Sequence, residues 1–106
     1  MIDEDRVEGA VEYLRDTAKQ YGQAKGRASY MEANLRRVKS LEMVSKSGGV
    51  GEREAAAYAS EAYKDAMEQL ENSVAEVETI KALREAASYT IEVWRSQNST
   101  RRQGNI

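Results

Sequence analysis

Two groups of basic residues are where this chain's residue types and spacing could do chemistry. The first is Arg36, Arg37, Lys39 and Lys46, with Lys25 and Arg27 upstream. The second is the stretch Trp94-Arg95-Ser96-Gln97-Asn98-Ser99-Thr100-Arg101-Arg102, which joins one aromatic ring to three arginines and has no acid after Glu92. Clustered guanidinium and ammonium groups contact phosphates by charge, without reading sequence. An indole beside arginines suits single-stranded nucleic acid, because the ring stacks on bases while the cations follow the backbone. Each group also has a structural reading. The first is the natural partner of an acidic block later in the chain. In the second, Trp94 continues an apolar stripe and would pack near Val7 and Val11, which leaves the arginines after it as the freer groups.

Other chemistries are poorly served. The chain has no histidine and no cysteine. It therefore lacks the usual general base near neutral pH, the commonest metal ligand and any thiolate. Glu68, Glu71, Glu76 and Glu78 sit mostly off the apolar stripe, and a four-helix di-metal site would also need Glu-x-x-His. Ser47-Gly48-Gly49-Val50-Gly51 has no Gly-Lys-Ser/Thr after it and no strand before it, so it is not a phosphate loop. No nucleophile–base pair is visible. The reading is a non-enzyme with no cofactor and no bound metal.

The elements that must position these residues are long helices. The chain has 106 residues and no proline, and the Gly-rich segment is its one strong breaker. Asp3 is a good N-cap for a first helix, with Glu4 and Asp5 in the favoured first turn. Leu14, Tyr21, Ala28 and Leu35 then recur every seven residues, and Ala10, Ala24, Met31 and Val38 fill the companion positions. That is a coiled-coil-like stripe. A helix of about 40 residues is ~60 Å long and must pack along its length against another. Gly22 and Gly26 lie in its middle, where close helix approach or a kink would compensate for their low helix propensity.

The spacing predicts helix 1 over about 3–46, a Gly-rich loop over 47–51 and a short helix or turn over 52–59. Helix 2 follows over about 60–96, with Ser60 as its N-cap, and a flexible basic tail over 97–106. The helix 2 stripe is Tyr63, Met67, Leu70, Val74, Val77, Ile80, Ala87, Ile91 and Trp94, interrupted by Lys81 and Arg84. Tyr21 belongs to the helix 1 stripe, while Tyr30 and Tyr58 fall toward the hairpin end.

Charge decides the orientation of the two helices. Residues 1–24 carry net −3, residues 25–46 net +4, residues 47–78 net −6 and residues 79–106 net +3. Folding at the glycines sets each block beside its opposite, whereas a parallel arrangement loses the match. The expected fold is therefore all-α, a long antiparallel helical hairpin. Exposed pairs contribute only about 0–1 kcal/mol each, so they select orientation more than they stabilise. Only 41% of residues are hydrophobic, with no phenylalanine and one tryptophan. So small a core points to a homo-oligomer as the source of further burial. No apolar run approaches the ~20 residues needed to span a bilayer, and the acidic start has the wrong sign for an export signal. The expectation is a cytoplasmic protein with no membrane contact.

One resemblance adds to this. Ala28-Ser29-Tyr30-Met31-Glu32 with Leu35-Arg36-Arg37-Val38-Lys39, then the Gly loop, Ala59-Ser60-Glu61-Ala62-Tyr63 and Ile91-Glu92-Val93-Trp94-Arg95-Ser96 follow a recognisable order. A helix with a basic end precedes a Gly-containing loop, a tyrosine and a last helix running into a basic tail. The layout resembles small helical proteins of tailed-bacteriophage recombination and replication modules, the UvsY-type recombination mediators. The resemblance implies an oligomeric accessory protein in the host cytoplasm. Such a protein binds single-stranded DNA and helps load a recombinase onto strands covered by single-strand-binding protein. It assigns the basic features to Arg36, Arg37, Lys39, Lys46, Arg95, Arg101 and Arg102, with Trp94 as a stacking ring from the residue reading. Two other classes stay open: a protein–protein adaptor or inhibitor with no DNA binding, and a structural or assembly protein of the virion.

Overall fold

The computed structural model describes residues 1–104. Among them are three helices and no strand: α1 (Glu4–Val44), α2 (Val50–Tyr58) and α3 (Glu61–Gly104). The fold is all-α, a long coiled-coil-like helical hairpin in which the short α2 precedes the return helix. No helix among the described residues is long and apolar enough to cross a membrane.

Local chemistry sets the helix ends. The Asp3 carboxylate accepts from the Arg6 backbone N–H at 2.8 Å, and the Asp3 carbonyl takes the first helical bond from Val7. α1 stops at Val44, where Ser45 turns its hydroxyl back to the Glu42 carbonyl. Gly48 then adopts φ +107°, a left-handed conformation that L side chains rarely take. Gly49 is extended and opens α2, so α2 already includes Val50 and Gly51. Ser60 joins α2 to α3: its hydroxyl donates to the Ala57 carbonyl at 2.7 Å and accepts from the Tyr63 N–H at 3.2 Å.

The chain divides into two compact units. The first joins residues 1–22 to those from 78 onward, and the second comprises residues 23–77. In the first unit, Arg84 bonds to Leu14 and Thr17, and the Ile2 N–H donates to Gln97 Oε1 at 3.1 Å. Rising numbers on α1 meet falling numbers on α3, so the two segments are antiparallel. Its seam holds buried Ala10 and Ile80, with Val7, Leu14, Thr17, Tyr21, Arg84, Ala87, Ile91 and Trp94 half-buried. In the second unit, Arg27 pairs with Glu76 at 2.7 Å and Lys39 with Glu54 at 2.9 Å. There the seam is built on buried Ala24, Ala57, Ala66 and Ser73, with half-buried Ala28, Met31, Leu35, Val38, Leu70 and Val77.

Three features differ from the sequence reading. Residues 97–104 are the last turns of α3, not a flexible tail. Nothing between Ser60 and Gly104 breaks a helix, Gln97 is tied to Ile2, and Arg101 and Arg102 sit in the last turn, where cations favour the helix dipole. Residues 105–106 of the expected tail lie outside the described residues. Second, Met67 and Val74 are 51% and 44% exposed, while Ala66 and Ser73 take the inner positions. Small side chains at the contact let the backbones approach, and the bulkier neighbours turn outward. Third, the close approach in α1 falls on fully buried Ala24, not on the glycines. Gly22 and Gly26 face solvent with open space where a Cβ would stand. Replacing Gly26 by Ala is therefore expected to raise stability by up to ~1 kcal/mol, read as a higher urea midpoint at fixed protein concentration.

Candidate nucleic-acid interface

The two basic groups fall in different compact units, and each has its own electrostatic setting. In the second unit, neighbours already engage most of the cations. Arg36 lies 3.8 Å from Glu32 and Lys46 lies 3.6 Å from Glu42, each one helical turn away. Lys39 is held by α2. Its ammonium donates to the Glu54 carboxylate at 2.9 Å and lies 4.5 Å from the centre of the Tyr58 ring. The ring of Tyr58 in turn meets Tyr63 edge-on at 5.1 Å, which ties α2 to the start of α3. Upstream, Arg27 is paired with Glu76. Arg37 is exposed and has no ion pair among the described residues. The acidic block thus takes up Arg27 and Lys39, and Arg37 is the one cation of Arg36, Arg37, Lys39 and Lys46 without a carboxylate partner among the described residues.

The Lys39 contacts shift two titrations. Tyr58 first and the Glu54 carboxylate second hold the Lys39 ammonium well above its ordinary value. Lys39, through hydrogen bond and charge, pulls the Glu54 carboxyl below its ordinary 4.5. A carboxyl lowered on folding contributes stability that is fully present above 4.5 and is lost as pH falls through the folded value. Acid titration of the unfolding midpoint is expected to show this decline below pH 4.5, and Glu54→Gln is expected to flatten it. The effect is small, since both groups remain partly exposed.

The C-terminal group lies on the last turns of α3 in the first unit. Trp94, Asn98 and Arg101 follow one another at spacings of four and three, and so continue the line of the seam past Ile91. Trp94 and Asn98 are half-buried and Arg101 and Arg102 are exposed. Arg95 contacts Glu92 at 3.2 Å with its side chain about two-thirds exposed. Arg101 and Arg102 form no ion pair among the described residues. Trp94, Asn98 and Arg101 line a cleft whose other wall is Met1, Ile2, Asp3 and Glu4. The arrangement can therefore offer a flat ring, an amide and two free guanidiniums within three turns of one helix.

Within the stretch named from the sequence, Asn98 is the residue that shares one cleft with Trp94 and Arg101, and the N-terminal wall is what the fold adds. Its signal in the sequence is the unbroken run of seam positions 91, 94, 98 and 101, which a flexible tail over 97–106 does not provide for. Among the described residues no group of histidine, cysteine or acidic side chains could hold a metal ion. No protein-family pattern, characterised protein sequence or solved structure matches the chain.

Proposed function

We propose that the protein is a non-enzymatic accessory of DNA recombination or replication, mediator-like, that binds single-stranded DNA through the C-terminal end of α3. The observation that supports this reading is the pair Arg101 and Arg102: exposed, without carboxylate partners among the described residues, and on the same helical turns as the half-buried Trp94. Cations already paired gain little from a phosphate, because an existing interaction must be given up. Unpaired ones gain the full release of counterions. Arg37 is the corresponding group in the second unit, and Arg36, Lys39, Lys46 and Arg95 contribute only as their present partners yield. The protein partner in this reading is a recombinase or a single-strand-binding protein, and self-association would sum the basic groups of several copies.

The test is fluorescence anisotropy of a labelled single-stranded oligonucleotide titrated with the protein at low and moderate salt. Binding that weakens steeply with salt is expected. No binding at tens of micromolar protein at low salt would overturn the reading.

A second reading, a protein–protein adaptor, draws support from the exposed apolar groove of the second unit. Leu35, Met67, Leu70 and Val74 line it, with Lys64, Glu68 and Glu71 at the rim. Co-purification of a defined protein that survives nuclease treatment and is lost in Met67→Gln would favour it.

A further inference from the structure

We propose that the cleft between residues 1–4 and the end of α3 holds one nucleobase of the bound strand, stacked on Trp94 and selected for an amino group. This rests on the single-stranded DNA reading and adds a chemical preference to it. The cleft measures about 310 Å³, near the small end of ligand sites at ~300–1,000 Å³. Its far wall is pinned, because Ile2 donates its N–H to Gln97 on α3 and Asp3 caps α1 through Arg6. The cleft is thus in place before any ligand arrives.

Its chemistry is divided in a way that suits a base and not a phosphate. Trp94 offers the apolar face on which any base can stack. The Asn98 amide can both donate and accept, as a base edge requires. Asp3 and Glu4 are acceptors when ionised, and they repel a phosphate while favouring an N–H donor. The cation of the lining is Arg101, with Arg102 beside it in the sequence, so the backbone would run on that side. An exocyclic amine supplies the donor that the carboxylates need, as in carboxylate contacts to cytosine N4. Cytosine, adenine and guanine carry one, whereas thymine offers only its N3–H, set between two carbonyl oxygens that carboxylates repel. The preference is therefore for amino-bearing bases over thymine.

The chain has a single tryptophan beside six tyrosines, so fluorescence excited selectively at tryptophan reports on Trp94 alone. The full chain is titrated with oligo(dC), oligo(dT) and an abasic oligonucleotide of the same length and phosphate count. Binding is followed by anisotropy with labelled strands and by Trp94 quenching with unlabelled ones. The expected result is quenching by oligo(dC), with affinity several-fold above that of oligo(dT) and further above that of the abasic strand. Asn98→Ala and Asp3→Asn should each narrow the dC-to-dT ratio; Asp3→Asn also removes a charge that repels phosphate and should tighten all three strands, so the ratio is the readout. Asparagine still serves as an N-cap, so the Asp3 variant keeps the start of α1. Equal binding of oligo(dC) and the abasic strand, with Trp94 unquenched, overturns the base pocket and leaves phosphate-driven binding standing. Quenching with equal affinity for dC and dT overturns the amino-group selection. Failure of all three strands to bind overturns the functional reading and the pocket together.

Discussion

Replacing Arg101 and Arg102 together by alanine is expected to lower affinity for a single-stranded oligonucleotide by roughly an order of magnitude. It should also reduce the slope of log affinity against log salt by about 1.4, since each neutralised phosphate of a single strand contributes ~0.7. Both side chains are exposed on the last turns of α3 and have no ion pair among the described residues. Their loss should therefore leave the fold intact, which helix content by circular dichroism would confirm. A control must separate local contact from net charge. Lys19→Ala with Lys81→Ala removes two positive charges from the same compact unit, away from the cleft, and both side chains are exposed and without an ion pair among the described residues. If the control lowers affinity and slope as far as the Arg101 and Arg102 pair does, binding follows overall charge, and the C-terminal turns are not the interface. If only the C-terminal pair matters, the contact is local.

Much of the fold could be read from residue types, because the signals are local or strictly periodic. Asp3 and Ser60 cap helices where short polar side chains stand before apolar periodicity. The heptads of α1 name the half-buried seam of both units. The left-handed Gly48 lies where glycine is the residue that tolerates such a turn. The inner face of α3 was less legible. Met67 and Val74 are the more apolar choices, yet Ala66 and Ser73 face the partner helix. Hydrophobicity ranks residues by burial preference, whereas a close helix contact selects for size, and a sequence pattern does not report interhelical distance. The end of α3 is hard to read for a related reason: residues 97–104 are mostly polar and carry little apolar periodicity, although they continue the helix. The tie from Ile2 to Gln97 spans 95 residues of sequence and leaves no local trace. The candidate site was legible as charge and only partly as geometry. Which cations stand free depended on pairings such as Lys39 with Glu54 that only folding reveals.

Arg84 is expected to be the polar side chain whose loss costs the fold most. It occupies a seam position, where the apolar pattern lapses, and its guanidinium reaches across to α1. One nitrogen donates to the Leu14 carbonyl and to the Thr17 hydroxyl, both at 2.7 Å. The Thr17 hydroxyl donates onward to the Tyr13 carbonyl at 2.6 Å, so its lone pair is free to receive Arg84. The guanidinium carbon also lies 5.2 Å from the Tyr21 ring centre. Hydrogen bonds from a charged donor are worth about 1.5–3 kcal/mol when lost, and partial exposure discounts this, so Arg84→Ala should cost ~1–3 kcal/mol. Urea unfolding at fixed protein concentration reads the change directly. Arg84→Leu separates two roles that the alanine variant confounds. Leucine restores seam burial at about 25 cal/mol per Å², and should recover most of the midpoint. It supplies no bond to Leu14 or Thr17, so nothing at that layer distinguishes the native register from a slipped one. A stable Arg84→Leu variant with a lowered urea dependence, or with mixed oligomers by sedimentation, would show that the arginine fixes register. A variant matching wild type in both would show that it does not. A double-mutant cycle with Thr17→Ala then isolates the hydroxyl contact, and zero coupling would remove that bond from the account.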